Sequence, residues 1–344
     1  MNEYSTIKIA FCGLAHGHIQ QYLDVLKNED NVLIHGIYDK QDDRQVIISN
    51  KFNTSRYESI DELLKGGVDL VIIGSETSKH LEMVKEVSRY GVNIALQKPI
   101  ATTLEDAIEI LKTVDRAGIR LYLLWQMRQD PQNIKIKNII DQGVLGRVLY
   151  FRRKHCLSTH RWPDFKSSWH VKKEMNIGMW ADDASHPIDL VRWYFGMPQS
   201  VYADIDTLVD CKIPDDNGIA IFRYKDGLFA EVMCSFTSDF GETTTEINGT
   251  EGCLIQYYGD APSCNQKADH ECSLKWKRYG DADWNTCPIQ TPKHHTQRIR
   301  DLVPSILNFA KNNFTPPSPE EYMDTLKMTL MCYESSMIKK QLLI

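Results

Sequence analysis

Residues 7–18 read IKIAFCGLAHGH, an apolar run of strand-forming residues that ends in a glycine-containing turn. Residues 19–28 follow with apolar side chains at helical spacing. A strand, a glycine turn and a helix in this order predict the first unit of a nucleotide-binding parallel sheet. The glycine pattern G-x-G-x-x-G is incomplete, because Ala15 and His18 replace its second and third glycines.

The strand–helix alternation continues along the chain. Apolar strands are predicted over residues 32–38, 68–73, 92–96 and 119–124, and helices over residues 60–64, 78–89 and 104–116. This alternation indicates right-handed βαβ units and a parallel sheet.

The pattern changes after about residue 125. A helix is predicted over residues 134–142, and strands over residues 148–156, 200–209, 218–224, 228–237, 244–248 and 253–258. Turn sequences such as Asn248-Gly249 connect neighbouring runs, which predicts an antiparallel sheet. Helices are expected over residues 295–312 and after Ser318. With 344 residues, two domains are expected, residues 1–125 and 126–344.

Composition excludes several classes of protein. The formal net charge is −6, and no basic stripe is present, which argues against nucleic acid as a partner. No apolar run has the length of a membrane helix, and the first residues do not resemble a secretion signal. We therefore expect a cytoplasmic protein. The nine cysteines include no C-x-x-C pair; Cys264 and Cys272 could bind a metal or pair with each other, but no second close pair completes a ligand set.

The first βα turn predicts a dinucleotide site. Asp39 ends the second strand at about the spacing expected for a carboxylate that binds the adenosine ribose, which favours NAD over NADP. Lys40 keeps NADP open, and Asp39 could instead be an ordinary turn residue. The other cofactor-binding candidates are Gly13, Ala15, His16, His18, Ser75, Thr77 and His80. Thr77 or Ser78 could also serve as a helix cap.

Lys98 lies just after the predicted strand at residues 92–96, and the next residue is Pro99. Ligands bind at the carboxyl ends of strands in open parallel sheets, so Lys98 and Gln97 are predicted to face the cofactor and the substrate. Most lysines are merely solvated surface charges, but the proline ends the strand and fixes where this lysine points.

Asp182 and His186 lie four residues apart and share one face if the segment is helical. The carboxylate can then orient the imidazole for proton transfer. A partly buried structural histidine is the alternative. Because Pro187 follows His186, another alternative is a helix that begins near Pro187, with His186 just outside it. A cation beside a nucleotide and an oriented imidazole together predict a dehydrogenase.

A polar and aromatic cluster precedes this segment and consists of His155, His160, Arg161, Trp162, Trp169 and His170. Aromatic faces suit the C–H groups of a sugar ring, and imidazole or guanidinium groups suit its hydroxyls. The substrate-binding candidates are Lys98, Arg128, His155, Arg161, Trp162, Trp169, His170, Asp182 and His186. Ordinary loop packing is one alternative. A metal site that joins His155, His160 and His170 with Asp182 and His186 is another, although no tight ligand spacing supports it, and no metal is expected.

Four segments give the chain its resemblance to a known family. Residues 97–100, Gln-Lys-Pro-Ile, resemble the Glu-Lys-Pro motif of the Gfo/Idh/MocA oxidoreductases, which include glucose-fructose oxidoreductase and inositol dehydrogenase. Residues 182–189 resemble that family's D-x-x-x-H-x-x-D segment, residues 247–252 its strand turn, and residues 317–336 its C-terminal helix. Gln97 departs from the usual glutamate, and Ala15 and His18 depart from the glycine pattern.

The resemblance implies an α/β fold with an N-terminal Rossmann dinucleotide-binding domain and a C-terminal α/β domain with a large, mostly antiparallel open sheet. It implies NAD or NADP as cofactor, a sugar or polyol substrate, and a homodimer or homotetramer through the C-terminal sheet. Lys98, Asp182 and His186 correspond to the family's catalytic residues. Two alternatives stay open: an enzyme that retains NAD and performs elimination, epimerisation or glycoside cleavage, and a non-catalytic sugar-sensing regulator.

Overall fold

The computed structural model describes residues 6–157, 159–209, 212–238, 243–258, 274–288 and 295–344. The strands, numbered in chain order, are β1 Ile7–Cys12, β2 Val32–Tyr38, β3 Leu70–Ile73, β4 Asn93–Gln97, β5 Leu121–Leu124, β6 Val148–Cys156, β7 Ser200–Asp206, β8 Asn217–Arg223, β9 Phe229–Ser235, β10 Thr243–Gly249, β11 Gly252–Tyr258, β12 Leu274–Arg278, β13 Asn285–Thr286 and β14 Leu342–Leu343.

The α-helices are α1 His18–Leu26, α2 Asp42–Phe52, α3 Ile60–Leu64, α4 His80–Ser88, α5 Leu104–Arg116, α6 Pro131–Asp141, α7 Met179–Phe195, α8 His295–Arg300, α9 Val303–Ala310 and α10 Pro319–Ile338. The chain divides into two compact units. Unit 1 consists of residues 1–126, 174–176 and 299–323, and unit 2 of residues 127–173, 177–298 and 324–344. The assignment of substrate binding and oligomerisation to residues 126–344 stays a prediction.

Unit 1 is built on a five-stranded parallel sheet with the strand order β2-β1-β3-β4-β5. Its central strands are apolar and buried on both faces, as expected for a parallel sheet covered by helices. The chain leaves β1 towards β2 on one side and continues to β3 on the other. The direction of winding therefore reverses between β1 and β3, and ligands of such sheets bind at the carboxyl ends of the strands at this point.

The helices of unit 1 follow from local sequence. In α5, Thr103 accepts a hydrogen bond from the backbone N–H of Asp106, and the buried residues Ala107, Ile110 and Val114 recur at helical spacing. In α3, Ser59 caps the N–H of Glu62 in the same way.

The late segment 299–323 completes the core of unit 1. α9 packs against α1 through residues such as Ile306 and Phe309, which belong to the same buried cluster as Tyr22 and Leu23. Arg120 donates a hydrogen bond to the carbonyl of Phe309, and the Tyr322 hydroxyl accepts one from the N–H of Leu123 at 3.2 Å.

Unit 2 is built on a nine-stranded sheet with the order β13-β12-β11-β10-β6-β9-β8-β7-β14. The neighbouring strands pair in antiparallel fashion, except for β6 and β9, which are parallel. The predicted fold class, a parallel sheet followed by a large and mostly antiparallel sheet, is therefore confirmed. α7 packs on β6 and β9 and covers one face of this sheet.

The opposite face of the unit 2 sheet is only half-buried. Ile219 lies opposite Met233 and Ile221 lies opposite Tyr202 in neighbouring strands, so these apolar side chains share one face. Among the described residues, no helix combines the length and the apolar character needed to cross a membrane.

Candidate functional site

The turn after β1 requires glycine at its first position. Gly13 has a φ of +72°, and a Cβ built on it would lie 2.6 Å from the Ser75 Cβ. Only glycine fits such a conformation and such a close approach. The backbone N–H of His16 donates to the carbonyl of Gly74 at 2.9 Å, which ties the turn to the end of β3. The side chains of His16 and His18 are buried and lie edge to face, with ring centroids 4.2 Å apart.

Gly74 allows α1 to approach the sheet closely. A Cβ on Gly74 would lie 2.3 Å from the Ile19 Cγ1. In the full glycine pattern, the third glycine permits this close packing of helix and strand. Here His18 occupies that position. The close packing of α1 instead depends on Gly74, which follows the neighbouring strand β3. Gly74 was not among the predicted site residues, although it directly follows the predicted third strand.

Asp39 lies buried at the end of β2 and is held by its neighbours. Its carboxylate accepts hydrogen bonds from the backbone N–H of Leu14 at 2.6 Å and of Gln41 at 2.8 Å, and from Arg44 at 2.9 Å. Arg44 also contacts the carboxylate of Glu76 at 2.9 Å. Arg44 and Glu76 were not among the predicted site residues.

Lys40, the candidate for an NADP phosphate, forms an ion pair with Glu82. Both side chains are well exposed, at 50 % and 37 %. An exposed pair of this kind contributes little binding energy, so it does not hold Lys40 firmly.

The segment after β3 contains the other predicted ribose ligands. Ser75 and Thr77 are 2 % exposed, and the Ser75 hydroxyl donates to the carbonyl of Glu76 at 3.3 Å. His80 is fully buried, with Nδ1 3.2 Å from the carbonyl oxygen of Ile100, and burial lowers the pKa of His80 to about 4. The ring is therefore neutral at pH 7. α4 begins at His80 with Lys79 as its N-cap and no side-chain cap, so the capping role considered for Thr77 or Ser78 does not apply to this helix.

Gln97 and Lys98 lie at the carboxyl end of β4. The Gln97 side-chain amide donates to the hydroxyl of Tyr22 at 2.9 Å, and both residues are fully buried. Lys98 is 3 % exposed, and its bond to Pro99 is cis. A lysine is rarely buried to this extent unless its charge has partners or a function.

This edge of the unit 1 sheet fits a nicotinamide dinucleotide. The first turn of α1, His18-Ile19-Gln20-Gln21, has no acidic residue, and an added Cβ at Gly17 would meet no described atom within 4 Å. A helix N-terminus without acidic residues favours a phosphate group. Within the part of the chain that the structure describes, Thr77 Oγ1 and Gln97 Oε1 are buried and have no hydrogen-bond partner. Both can therefore bond a polar ligand.

α7 places Asp182 and His186 in unit 2. The helix runs from Met179 to Phe195 and contains Pro187, so Asp182 and His186 both lie inside it, and the alternative of a helix that begins near Pro187 does not hold. The proline is tolerated because most of the helix is buried and held by packing. Asp182 and His186 are 7 % and 2 % exposed.

The carboxylate of Asp182 lies 2.9 Å from Nδ1 of His170. The ring of His170 stacks on Trp169, with ring centroids 3.9 Å apart, and on Phe165 at 6.1 Å. The carboxylate thus fixes the orientation of the His170 imidazole, a pairing that the sequence spacing did not suggest. An imidazole held between aromatic faces has the components expected of a sugar-binding surface.

His155 links the end of β6 to the same helix. Its Nε2 lies 3.9 Å from the carboxylate of Asp183, and its ring centroid lies 6.4 Å from that of His186. Asp183 was not among the predicted site residues. Unit 2 therefore brings together three of the predicted histidines and two aspartates: His155, His170, His186, Asp182 and Asp183.

Arg128 forms a bidentate ion pair with Asp189, with both N–O distances at 2.8 Å. Asp189 is fully buried, and the Thr325 hydroxyl donates to it at 3.1 Å. The two partners of Asp189, Arg128 and Thr325, are both distant from it in the chain. A role for Arg128 in binding substrate stays a prediction.

The remaining candidates lie on the loop that follows β6. Arg161 and Trp162 are exposed, Trp162 packs edge to face on Phe165 at 5.8 Å, and Nδ1 of His160 lies 3.0 Å from the carbonyl oxygen of Phe236. Among the described side chains, no group of three or more His, Cys, Asp or Glu has an arrangement that could hold a metal ion. Cys264 and Cys272 lie outside the described residues.

Two sequence models of one family match the chain. The model of the oxidoreductase family with an NAD-binding Rossmann fold matches residues 7–124, and the model of the GFO/IDH/MocA C-terminal domain matches residues 133–255. The chain therefore belongs to the Gfo/Idh/MocA family of oxidoreductases. Its N-terminal part is the family's NAD-binding Rossmann fold, which confirms the predicted cofactor class.

Curated relatives and solved structures agree with this assignment. The 1,5-anhydro-D-fructose reductase of Ensifer adhaerens is 27 % identical over 57 % of this chain and 60 % of that protein. The myo-inositol 2-dehydrogenase of Thermotoga maritima is 24 % identical over 67 % of this chain and 69 % of that protein. In other curated relatives the chain spans about half of their length, 48 % in one Bacillus subtilis protein.

The WlbA dehydrogenase of Bordetella pertussis, solved with NADH and UDP-GlcNAcA, has the same fold. Its TM-score is 0.81 at 20 % identity, and the match covers 98 % of this chain and 99 % of that chain.

Proposed function

We propose that this protein is an NAD-dependent dehydrogenase that oxidises a CH–OH group of a sugar, a polyol or a sugar derivative, or reduces the corresponding carbonyl. The observation that carries the proposal is the burial of Lys98, 3 % exposed at the carboxyl end of β4 in an NAD-binding fold. The names of the reductase and the inositol dehydrogenase among the relatives support a cyclic polyhydroxy substrate. The cofactor would accept or supply the hydride.

The proposal gives each residue a role in moving or stabilising charge. Lys98 donates a hydrogen bond to the reacting oxygen and stabilises the negative charge that develops on it. His186 takes the hydroxyl proton as the hydride leaves the same carbon, so the product is a carbonyl. Asp182 stabilises the positive charge on imidazole, and because it also holds His170, that second ring is kept in a fixed orientation.

The test is turnover of purified protein on a panel of sugars and cyclic polyols with NAD, followed by absorbance of NADH. The Lys98→Met variant should lose about 10²-fold or more in turnover, because an electrostatic contribution to the transition state is removed. Its affinity for NADH should change by no more than about threefold, which corresponds to less than 1 kcal/mol.

Lys112→Met is the matched control, since Lys112 is exposed on α5. It should keep full turnover. Near-normal turnover of Lys98→Met would contradict the role of Lys98. Consumption of a sugar without net formation of NADH would instead assign the alternative in which NAD is retained and re-reduced in each cycle.

A further inference from the structure

Arg44 lies in α2, directly after the end of β2, and both arms of its guanidinium are engaged. Nη1 contacts Asp39 at 2.9 Å, and Nη2 contacts Glu76 at 2.9 Å and Gln41 at 3.1 Å. The side chains of Arg44, Asp39 and Glu76 are 21 %, 4 % and 12 % exposed. This cluster, which we call the Arg44 clasp, is therefore largely shielded from water.

The Arg44 clasp occupies the position at which dinucleotide folds distinguish their two cofactors. An acidic residue after the second strand bonds the ribose 2′-hydroxyl of NAD, whereas a nearby arginine can bind the 2′-phosphate of NADP. The chain has both residue types here. Two carboxylates and one guanidinium leave a formal charge of −1, which repels a phosphate group.

Glu76 decides which of these two behaviours prevails. Asp39 alone would neutralise Arg44 from one side only, and the outer arm would remain available for a phosphate. Glu76, on the segment after β3, holds that outer arm. Planar bidentate contacts of arginine with phosphate are strong. An arginine this close to the site therefore fails to bind a 2′-phosphate only if its N–H donors already bond other acceptors.

We propose that Glu76 is a specificity-determining residue that makes the protein select NAD over NADP, because it holds Arg44 away from a 2′-phosphate. The inference rests on the proposed function only in requiring that the protein binds a nicotinamide dinucleotide. It concerns binding, so it can be tested without knowledge of the substrate.

The experiment is a fluorescence titration of nucleotide-free, full-length protein with NADH and with NADPH. Wild type should bind NADH more tightly than NADPH. Glu76→Gln keeps the size of the side chain and removes its charge, so NADPH affinity should rise by about tenfold, within the range of one charge-assisted contact. NADH affinity should stay within about threefold of wild type. The added contact is ionic, so the NADPH gain should shrink at high salt.

Two further variants identify the cause. Glu76→Gln combined with Arg44→Gln should lose the gain in NADPH affinity, because the guanidinium that would bind the 2′-phosphate is gone. Glu82→Gln removes a carboxylate that pairs with Lys40 rather than Arg44, and it should raise NADPH affinity much less than Glu76→Gln does.

Three results would overturn the inference. One is an unchanged NADPH affinity in Glu76→Gln while NADH still binds, which leaves the proposed function intact. Another is a gain that survives the loss of Arg44 or is equalled by Glu82→Gln, which would indicate a general effect of charge. Failure of every variant and of wild type to bind either dinucleotide would overturn the proposed function as well.

Discussion

Gly13 is a position where the fold of unit 1 and the proposed cofactor site depend on the same missing side chain. In the Gly13→Ala variant, the new Cβ would meet Ser75 in a conformation that L residues rarely adopt. We expect the free energy of unfolding to fall by about 2 kcal/mol. NADH affinity should fall too, because the turn must shift. Urea unfolding and NADH titration measure the two effects.

Gly17 provides the control for this prediction. It caps α1 with a φ of −58°, and an added Cβ would meet no described atom within 4 Å. Gly17→Ala should therefore change the free energy of unfolding by no more than about 1 kcal/mol. Equal stability of the two variants would show that the turn is not constrained as described.

The succession of apolar runs and turn residues in the sequence was sufficient to place Gly13, Asp39 and Lys98 at the carboxyl ends of strands. It could not identify Gly74, because only the contact with Ile19 on α1 forbids a side chain there. It gave no sign of the contact between Asp182 and His170 either, because His170 reaches the carboxylate from a different segment. The roles of all predicted site residues stay predictions.

At the scale of elements, Asp189 connects α7 to two other parts of the chain. It forms an ion pair with Arg128, which precedes α6, and it accepts a hydrogen bond from Thr325 of α10. Asp189 has no exposed surface, so the removal of Arg128 would leave a buried charge without its cation. We expect Arg128→Ala to lower the free energy of unfolding by about 3–5 kcal/mol. Urea unfolding of the variant measures this loss.

A double variant separates the net contribution of the ion pair to stability from the cost of leaving one of its charges buried alone. Arg128→Met combined with Asp189→Leu replaces both charges by apolar side chains of similar size and should recover most of the lost stability. If the double variant is as unstable as Arg128→Ala, the loss comes from packing rather than from the buried carboxylate.

Two parts of the helix prediction differ from the structure, for identifiable reasons. α2 was not predicted, because its sequence is mostly polar and only Gln45, Ile48 and Phe52 are buried. The helix expected over residues 295–312 is two helices, α8 and α9, since Pro304 lies in the first turn of α9 and lacks an N–H donor. In α7, by contrast, extensive burial outweighs the effect of Pro187.

At the scale of the whole molecule, hydrophobic periodicity was enough to predict the fold class. Apolar strands in alternation with helices gave the parallel sheet, and later runs with turn sequences gave the mostly antiparallel sheet. The parallel pairing of β6 with β9 could not be predicted, because the two strands are far apart in the chain and no local turn fixes their register.

The half-buried face of the unit 2 sheet leads to a prediction about assembly. Ile219, Ile221, Met233 and Tyr202 form an apolar patch there, and patches of this kind often lie in subunit interfaces. We expect a homodimer or homotetramer that the Ile219→Lys variant weakens or dissociates, because a charged side chain buried among these apolar residues loses its hydration. Light scattering after gel filtration, at several concentrations, measures the mass.

Ile108→Lys is the control, since Ile108 is 43 % exposed on α5 in unit 1. It should leave the mass unchanged. A wild-type protein that elutes as a monomer at all concentrations, or an Ile219→Lys variant that assembles normally, would contradict the prediction.

The division of unit 1 among three stretches of chain has a consequence for biosynthesis. A ribosome delivers residues 1–126 first, but α9 and Tyr322, which complete the core around α1 and β5, emerge only after residues 127–298 have been synthesised. Until then the apolar surface of the early sheet has no cover from this segment. The unit whose first segment is synthesised first therefore completes its core late, after most strands of the second sheet have left the ribosome.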